Sequence, residues 1–445
     1  MTGAPDGRPV DRGPVAAPVS RLVLTGARVV VGDGTVRESA TVVVDGERII
    51  SVGPDADGTG PVGGPRPDDR WVELAGRTVM PGMVNCHFHA TYHNLGAAPA
   101  PFGLEEPMAL QVVRAVRNLE RLLLAGFTGA VSAGAPFAID ASMKTAIDRH
   151  LIPGPRLVPC SRDLSTTGHA GDRSFPSHWE VGALGAIRRG DGPDEFRRNV
   201  RLEVKEGAEM IKLFVTGGHG TVGPREMTEL TDDELAAAIG AAHQRGVRVR
   251  GHIANKEALL LAVDLGIDIV DHGDGMDEEC IERLLATGTP VVPSMLFPAR
   301  FLESMGGGGL GFTDDMRHDV DAMAAILPVA NAAGVRLVLG DDYGAIGFPH
   351  GPYADELAYY VDEVGIPALD VLTWATRNGA QVLGRGDELG TVSVGKLADL
   401  LVVDGDPVSD VHVLADPAAL LAVLKGGRLV TDRLPGYPTA RPPNP

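Results

Sequence analysis

The chain has 445 residues, of which 44% are hydrophobic and 22% charged, enough for one large domain plus a smaller one with an ordinary globular composition. Its 40 Lys+Arg against 59 Asp+Glu give a formal net charge of −19, which argues against binding to a nucleic-acid backbone or an anionic membrane. Cys86, Cys160 and Cys280 have no paired spacing and suggest neither a disulfide framework nor a thiolate zinc site, and no apolar run is long enough for a signal peptide or a membrane span. The default expectation is a cytoplasmic location, with neither nucleic acid nor membrane as partner.

Residues 1–20, rich in Gly, Pro, Asp and Arg, read as a disordered N-terminal arm. From 21 to 77, short β-branched runs such as Leu22-Val23-Leu24 and Thr41-Val42-Val43-Val44 are punctuated by Gly32-Asp33-Gly34 and Asp45-Gly46 turns, the pattern of antiparallel sheet. The same pattern returns over 389–434, in Leu400-Leu401-Val402-Val403 and Ala422-Val423-Leu424. These two segments predict a small β-sandwich domain built from both chain ends, followed by a flexible tail at 435–445. It braces the rest and can support a homo-oligomer.

Between 78 and 388 strands and helices alternate, which predicts a parallel sheet wrapped by helices. Strand candidates lie around Met83, Val131, Val158, Leu213, Val249, Ile269, Val292 and Leu337. Eight such units close into a (β/α)8 TIM barrel. An open doubly wound sheet is the rival, but no glycine-rich dinucleotide fingerprint follows the first strand. Residues 108–124 form an amphipathic helix; Phe196, Val200 and Val204 recur at helical spacing; Thr231 and Glu234 make a capping box for a helix that runs to Gly246.

Barrels of this kind draw their chemistry from the carboxyl ends of the strands. There the first strand carries His87 and His89 on one side of the pleat, the fourth Lys212, the fifth His252, the sixth His272, and the eighth Asp341 and Asp342. Two imidazoles one pleat apart can share a metal ion, whereas Cys86, just before His87, faces the opposite way into the core. Lys212 inside an apolar strand needs an explanation, because a buried ammonium is costly unless it is paired or neutralised. Either it is a free amine able to take up carbon dioxide as a metal-bridging carbamate, or it pairs with Asp271 or Asp341.

This constellation resembles the amidohydrolase superfamily, specifically its binuclear carbamylated-lysine branch. The order of Pro81-Gly82 to His89, Gly154-Pro155-Arg156, Thr167-Gly168-His169, Ile211-Lys212, Asp271-His272-Gly273, Gly340-Asp341-Asp342 and Gly395-Lys396-Leu397-Ala398-Asp399 is similar to imidazolonepropionase-like and prolidase-like members. The resemblance implies two divalent metal ions, with His87, His89 and Asp342 on the more buried one, His252 and His272 on the second, and the carbamate of Lys212 between them. The family has a small hydroxyl residue where this chain has Asp341, so a shift of one residue would exchange Asp341 for Asp342.

Two divalent cations acidify a bridging water and polarise a carbonyl, which suits hydrolysis of an amide with Asp342 as general acid and base. Histidine and carboxylate ligation favours zinc, with manganese, iron, cobalt and nickel admissible. The expected partner is a small molecule: an N-acyl amino acid, a dipeptide or a cyclic amide. Its binding residues would come from the loops at the mouth, with His169, His219, Tyr92 and Arg225 as the leading picks and His93, Arg162, Arg173 and Tyr343 behind them. The alternatives are a deaminase, a metal-assisted decarboxylase or C–C hydrolase, and a metal-free scaffold protein. Lys212 speaks against the deaminase and the full ligand set against the scaffold.

Overall fold

The computed structural model describes residues 21–54, 64, 66–93, 107–168, 187–219, 221, 225–304 and 311–435. The arm at 1–20, the tail beyond 435, His169 and Arg173 lie outside the described residues. The first β-branched runs form β1 (Leu22–Val30), β2 (Val36–Asp45) and β3 (Arg48–Pro54), followed by β4 (Arg70–Glu73) and β5 (Thr78–Pro81).

Strands and helices then alternate. β6 (Met83–Phe88), β7 (Phe127–Ser132), β8 (Arg156–Val158), β9 (Cys160–Ser165), β10 (Ile187–Arg189), β11 (Met210–Phe214), β12 (Arg248–Ile253), β13 (Ile269–His272) and β14 (Val291–Val292) follow in chain order. Apart from the peripheral β10 they are almost wholly buried, which is why they read as apolar runs rather than as alternating patterns. β6, β7 and β8 pair in parallel, as do β9, β11, β12, β13 and β14. Pro159, which has no N–H to give a ladder, separates β8 from β9, so one interrupted strand faces β7 with its first half and β11 with its second.

The last position of the ring is a short extended segment. Leu337 bridges to Val291, the Val338 N–H donates to the Val291 carbonyl at 3.1 Å, and the Cys86 N–H donates to the Leu339 carbonyl at 2.6 Å. Backbone hydrogen bonds therefore lead back to β6, and the fold is TIM-barrel-like α/β.

Helices cover the outside as their apolar spacing requires. Met108–Leu124 buries Ala115, Leu119 and Leu122, and Pro193–Glu206 buries Phe196 and Val200. Asp232–His243 opens on the expected capping box, with the Thr231 N–H donating to the Glu234 carboxylate at 2.8 Å. It stops a turn short of Gly246, whose N–H closes the end on the His243 carbonyl at 3.0 Å.

β15 (Leu400–Val403), β16 (Leu420–Lys425) and β17 (Arg428–Asp432) return to the first strands. The sheet order is β17-β16-β15-β5-β1-β2-β3, with β4 also paired to β1. The two chain ends thus share one sheet that forks at β1, whose first half pairs with β4 and whose second half pairs with β5. A single forked sheet stands where two stacked sheets were expected. Because β5 pairs with both β1 and β15, this sheet holds the chain to Pro81, and the ring begins at Met83 rather than at 78. Among the described residues no helix is long and apolar enough to cross a membrane.

Candidate metal centre

His87 on β6 and His89 just beyond it meet Asp342 at the end of the last ring segment. Asp342 Oδ1 lies 3.1 Å from His87 Nε2 and 3.4 Å from His89 Nε2, and the two Nε2 atoms are 3.3 Å apart. Gly340 permits this approach: its φ is +151°, and a Cβ there would stand 2.1 Å from the His87 backbone nitrogen. His89 is fixed from behind by its Nδ1, 3.1 Å from the Gly134 carbonyl, and by Tyr92, stacked on it with centroids 3.8 Å apart.

The two neighbouring acids differ. Burial works against ionisation of Asp342, but the charge on His87 and hydrogen bonds from His87 and His89 outweigh it and hold the carboxyl well below its usual range. Asp341 turns away and accepts the N–H groups of Leu296 at 2.8 Å and Phe297 at 3.2 Å. Burial, and then the negative Asp342 beside it, push Asp341 up to about 7.

On the opposite side, His272 at the end of β13 stacks on His219 with centroids 3.7 Å apart. The ring of His252, from β12, lies 4.4 Å from that of His272. Strand alternation would send Asp271 and His272 to opposite faces, but His272 takes φ +71°, and both reach the neighbourhood of His87. Burial keeps His252 and His272 well below the ordinary histidine range, and His89 falls to about 4 for the same reason. Neutral imidazoles are the form that binds metal. His272 Nδ1 is buried without a hydrogen-bond partner, as a ligand atom awaiting an ion would be.

Two trios each bring their ligand atoms within 4.8 Å of one another: His87, His89 and Asp342, and His219, His272 and Asp342. Asp342 is common to both. His219, a substrate-contact pick of the sequence reading, stands in the second trio, while His252 is not part of it and has its Nε2 3.2 Å from the Gly218 carbonyl. His219 is itself held by Asp274 at 2.8 Å and by the Ser294 carbonyl at 3.1 Å. Burial opposes its protonation, but Asp274 prevails and raises it to about 9. The residues present fit a site for divalent cations.

Lys212 projects from β11 into the ring, where its ammonium donates to Asp271 Oδ2 at 2.6 Å; its charge adds to burial in lowering His252. Two groups beside it escaped the sequence reading. Arg250, two residues before His252 on β12, is fully buried and forks onto Asp271, with Nε 2.9 Å from Oδ2 and Nη2 2.5 Å from Oδ1. Asp163, paired in register with Lys212, has a buried Oδ1 without a hydrogen-bond partner and is pushed up to about 7, chiefly by burial. The signal for Arg250 was the one that drew attention to Lys212: a cation at an inward position of a buried strand.

The substrate picks separate. Tyr92 and His219 stand at the centre. Arg225 is taken up by Asp319 and Glu226, Arg162 by Glu203 and Glu206 of helix Pro193–Glu206, and Tyr343 is fully buried with its O–H donated to the Tyr353 carbonyl at 3.2 Å. His93 is exposed, and His169 and Arg173 lie outside the described residues.

Comparison with known proteins agrees with this geometry. The model of the amidohydrolase family matches residues 78–430. The ochratoxinase of Aspergillus niger is 27% identical, over 89% of this chain and 84% of that protein. A prolidase solved with N-methylphosphonate-L-proline superposes with a TM-score of 0.80 at 29% identity, covering 93% of this chain and 100% of the other. A Xaa-Pro dipeptidase with methionine bound in its active site gives a TM-score of 0.81 at 26% identity and the same coverage. The chain belongs to the amidohydrolase family and is a hydrolase acting on carbon–nitrogen bonds.

Proposed function

We propose that the chain is a binuclear metal-dependent amidohydrolase that cleaves the amide of a small substrate, an N-acyl amino acid or dipeptide before a cyclic amide. The observation that carries this is the sharing of Asp342 between two buried histidine pairs. In this reading His87, His89 and Asp342 would hold one cation, His252 and His272 the other, and the carbamate of Lys212 would be shared by both, with His219 a further ligand-type group beside them. The place of Lys212 on β11, which pairs with the β12 strand of His252, supports it. So do the printed names of the relatives, a prolidase and a Xaa-Pro dipeptidase among them. Zinc suits the donors best.

Divalent cations at such a site acidify water and polarise a carbonyl. The chain supplies the rest. Asp342, kept anionic, takes the proton of the attacking water on a carboxylate oxygen and passes it to the leaving nitrogen. Tyr92 fixes the ring plane of His89 by stacking, and Asp274 fixes that of His219. Tyr92, His219 and His169 are the proposed contacts to substrate; Arg225, spent on Asp319, is the weakest of the four picks.

The test is metal analysis of purified protein, then a screen of zinc-loaded enzyme against N-acyl amino acids, dipeptides, lactams and deaminase substrates. Two equivalents of metal and turnover on the first two classes are expected. A metal-free active protein, or ammonia release from a deaminase substrate as the dominant activity, would overturn the reading.

A further inference from the structure

Four charged side chains sit side by side inside the ring. Lys212 is in register with Asp163 on β9 and with Arg250 on β12, and Asp271 follows on β13. Asp271 has two oxygens and two cations to share. Oδ2 receives Lys212 Nζ at 2.6 Å and Arg250 Nε at 2.9 Å; Oδ1 receives Arg250 Nη2 at 2.5 Å and lies 3.3 Å from His87 Nδ1. Arg250 is anchored independently, its Nη1 donating to the Ser132 carbonyl at 2.7 Å. Neither Arg250 nor Asp271 has any exposed surface.

This redundancy matters if Lys212 changes sign. Carbamylation removes two protons from the ammonium, forms a bond from Nζ to the carbon of carbon dioxide, and leaves an anionic N-carboxylate while both protons go to solvent. Asp271 then loses the Lys212 partner. A buried carboxylate left without a cation is strongly disfavoured. With Arg250 in place, each Asp271 oxygen keeps an N–H donor after the lysine leaves. A histidine that binds metal through one nitrogen commonly directs the other N–H at a carboxylate, so the same clamp keeps Asp271 behind His87 Nδ1.

We propose that Arg250 is a positioning residue that holds Asp271 paired when Lys212 gives up its ammonium, and so permits Lys212 to become a carbamate. This rests on the reading of Lys212 given under Proposed function. Arg250 touches neither substrate nor the reacting atoms; it acts through Asp271 and through His87, whose Nδ1 lies 3.1 Å from its Nη2.

The experiment titrates full-length protein with ¹³C-labelled bicarbonate in the presence of zinc. It reads the lysine carbamate resonance by NMR and metal content by mass spectrometry, with circular dichroism to check the fold. Wild type is expected to show the resonance. Arg250→Met is expected to need at least ten times more bicarbonate for half-saturation, and the double variant Arg250→Met/Asp271→Asn, which also removes the Asp271 charge, is expected to restore the wild-type value, because no carboxylate is then stranded. Should Arg250→Met fail to fold, Arg250→Lys, which keeps the cation without the fork, is expected to raise half-saturation at least threefold. A wild-type protein without the resonance overturns the carbamate itself and this proposal with it. A resonance in wild type that saturates identically in the single variant that folds overturns the role of Arg250 alone, as does failure of the folded double variant to recover.

Discussion

Adjacent in sequence, the fully buried Asp341 and the half-buried Asp342 receive different donors. Asp342 faces two imidazoles and stays anionic, while Asp341 caps the backbone of Leu296 and Phe297. Asp342→Asn should therefore lower kcat by about 100-fold or more with KM little changed, the usual scale for a lost general base. Asp341→Asn should cost stability, about 1–2 kcal/mol for weakened buried hydrogen bonds, with turnover within tenfold of wild type. Steady-state kinetics on both variants decides, and the reverse pattern would move the acid to Asp341. Lys212→Ala leaves Asp271 to Arg250 and removes the bridging oxygen, so bound metal should fall to one equivalent or less by mass spectrometry; full occupancy would count against the bridge. His219 supplies the pH dependence. Its folded pKa, about 9, lies above the ordinary 6.5, so the Asp274 pair stabilises the metal-free protein fully below pH 6.5 and loses this as pH rises through 9. The loss amounts to about 3 kcal/mol at most. Urea unfolding in chelator at pH 6 and pH 9.5 should show it, and Asp274→Asn should abolish that part of the slope.

At the scale of strands, period-two alternation made His87 with His89 and the inward Lys212 legible before any coordinates. It fails where the backbone leaves the extended region. At His272 the left-handed φ brings Asp271 and His272 into one neighbourhood, and no residue pattern announces that conformation in a histidine. The ion pairs of Arg225 and Arg162 were illegible for another reason: their partners Asp319 and Glu203 come from distant segments, which local spacing cannot register. Gly340 was readable only as part of a motif, yet its place is set by contact with His87. Gly340→Ala would drive a Cβ into that backbone, so a destabilisation of about 3 kcal/mol or more is expected, with loss of bound metal as Asp342 is displaced. A variant with wild-type melting and metal content would show that the last ring segment can shift without disturbing the site.

For the whole molecule the question is how a sheet made from both chain ends is tied to the ring. Its sharing between the ends was legible, because both segments use the same β-branched language; its boundary was not, since Thr78-Val79-Met80-Pro81 and β6 form one apolar run and only pairing assigns the first part to the sheet. The tie runs through Asp399, just before β15. Its side chain, almost wholly buried, receives the Arg156 guanidinium of β8 in a fork at 2.8 and 2.9 Å, and also the Gly426 N–H at 2.7 Å. Lys425 adds a second link, its Nζ donating to the Gly154 carbonyl at 2.6 Å. Both links meet the ring at the start of β8, the amino end of a strand, whereas the histidines cluster at the carboxyl ends; contacts there serve stability rather than chemistry. Asp399→Ala strips Arg156 and the Gly426 N–H of their partner at once, so a loss of about 3 kcal/mol is expected. That corresponds to a fall of roughly 3 °C in Tm for a chain of this size. Because the carboxylate lies at the opposite end of the strands from the candidate ligands, metal content and kcat below the transition should stay at wild-type values. A variant that melts normally but loses metal would mean that the sheet, and not the ring alone, holds the centre in shape.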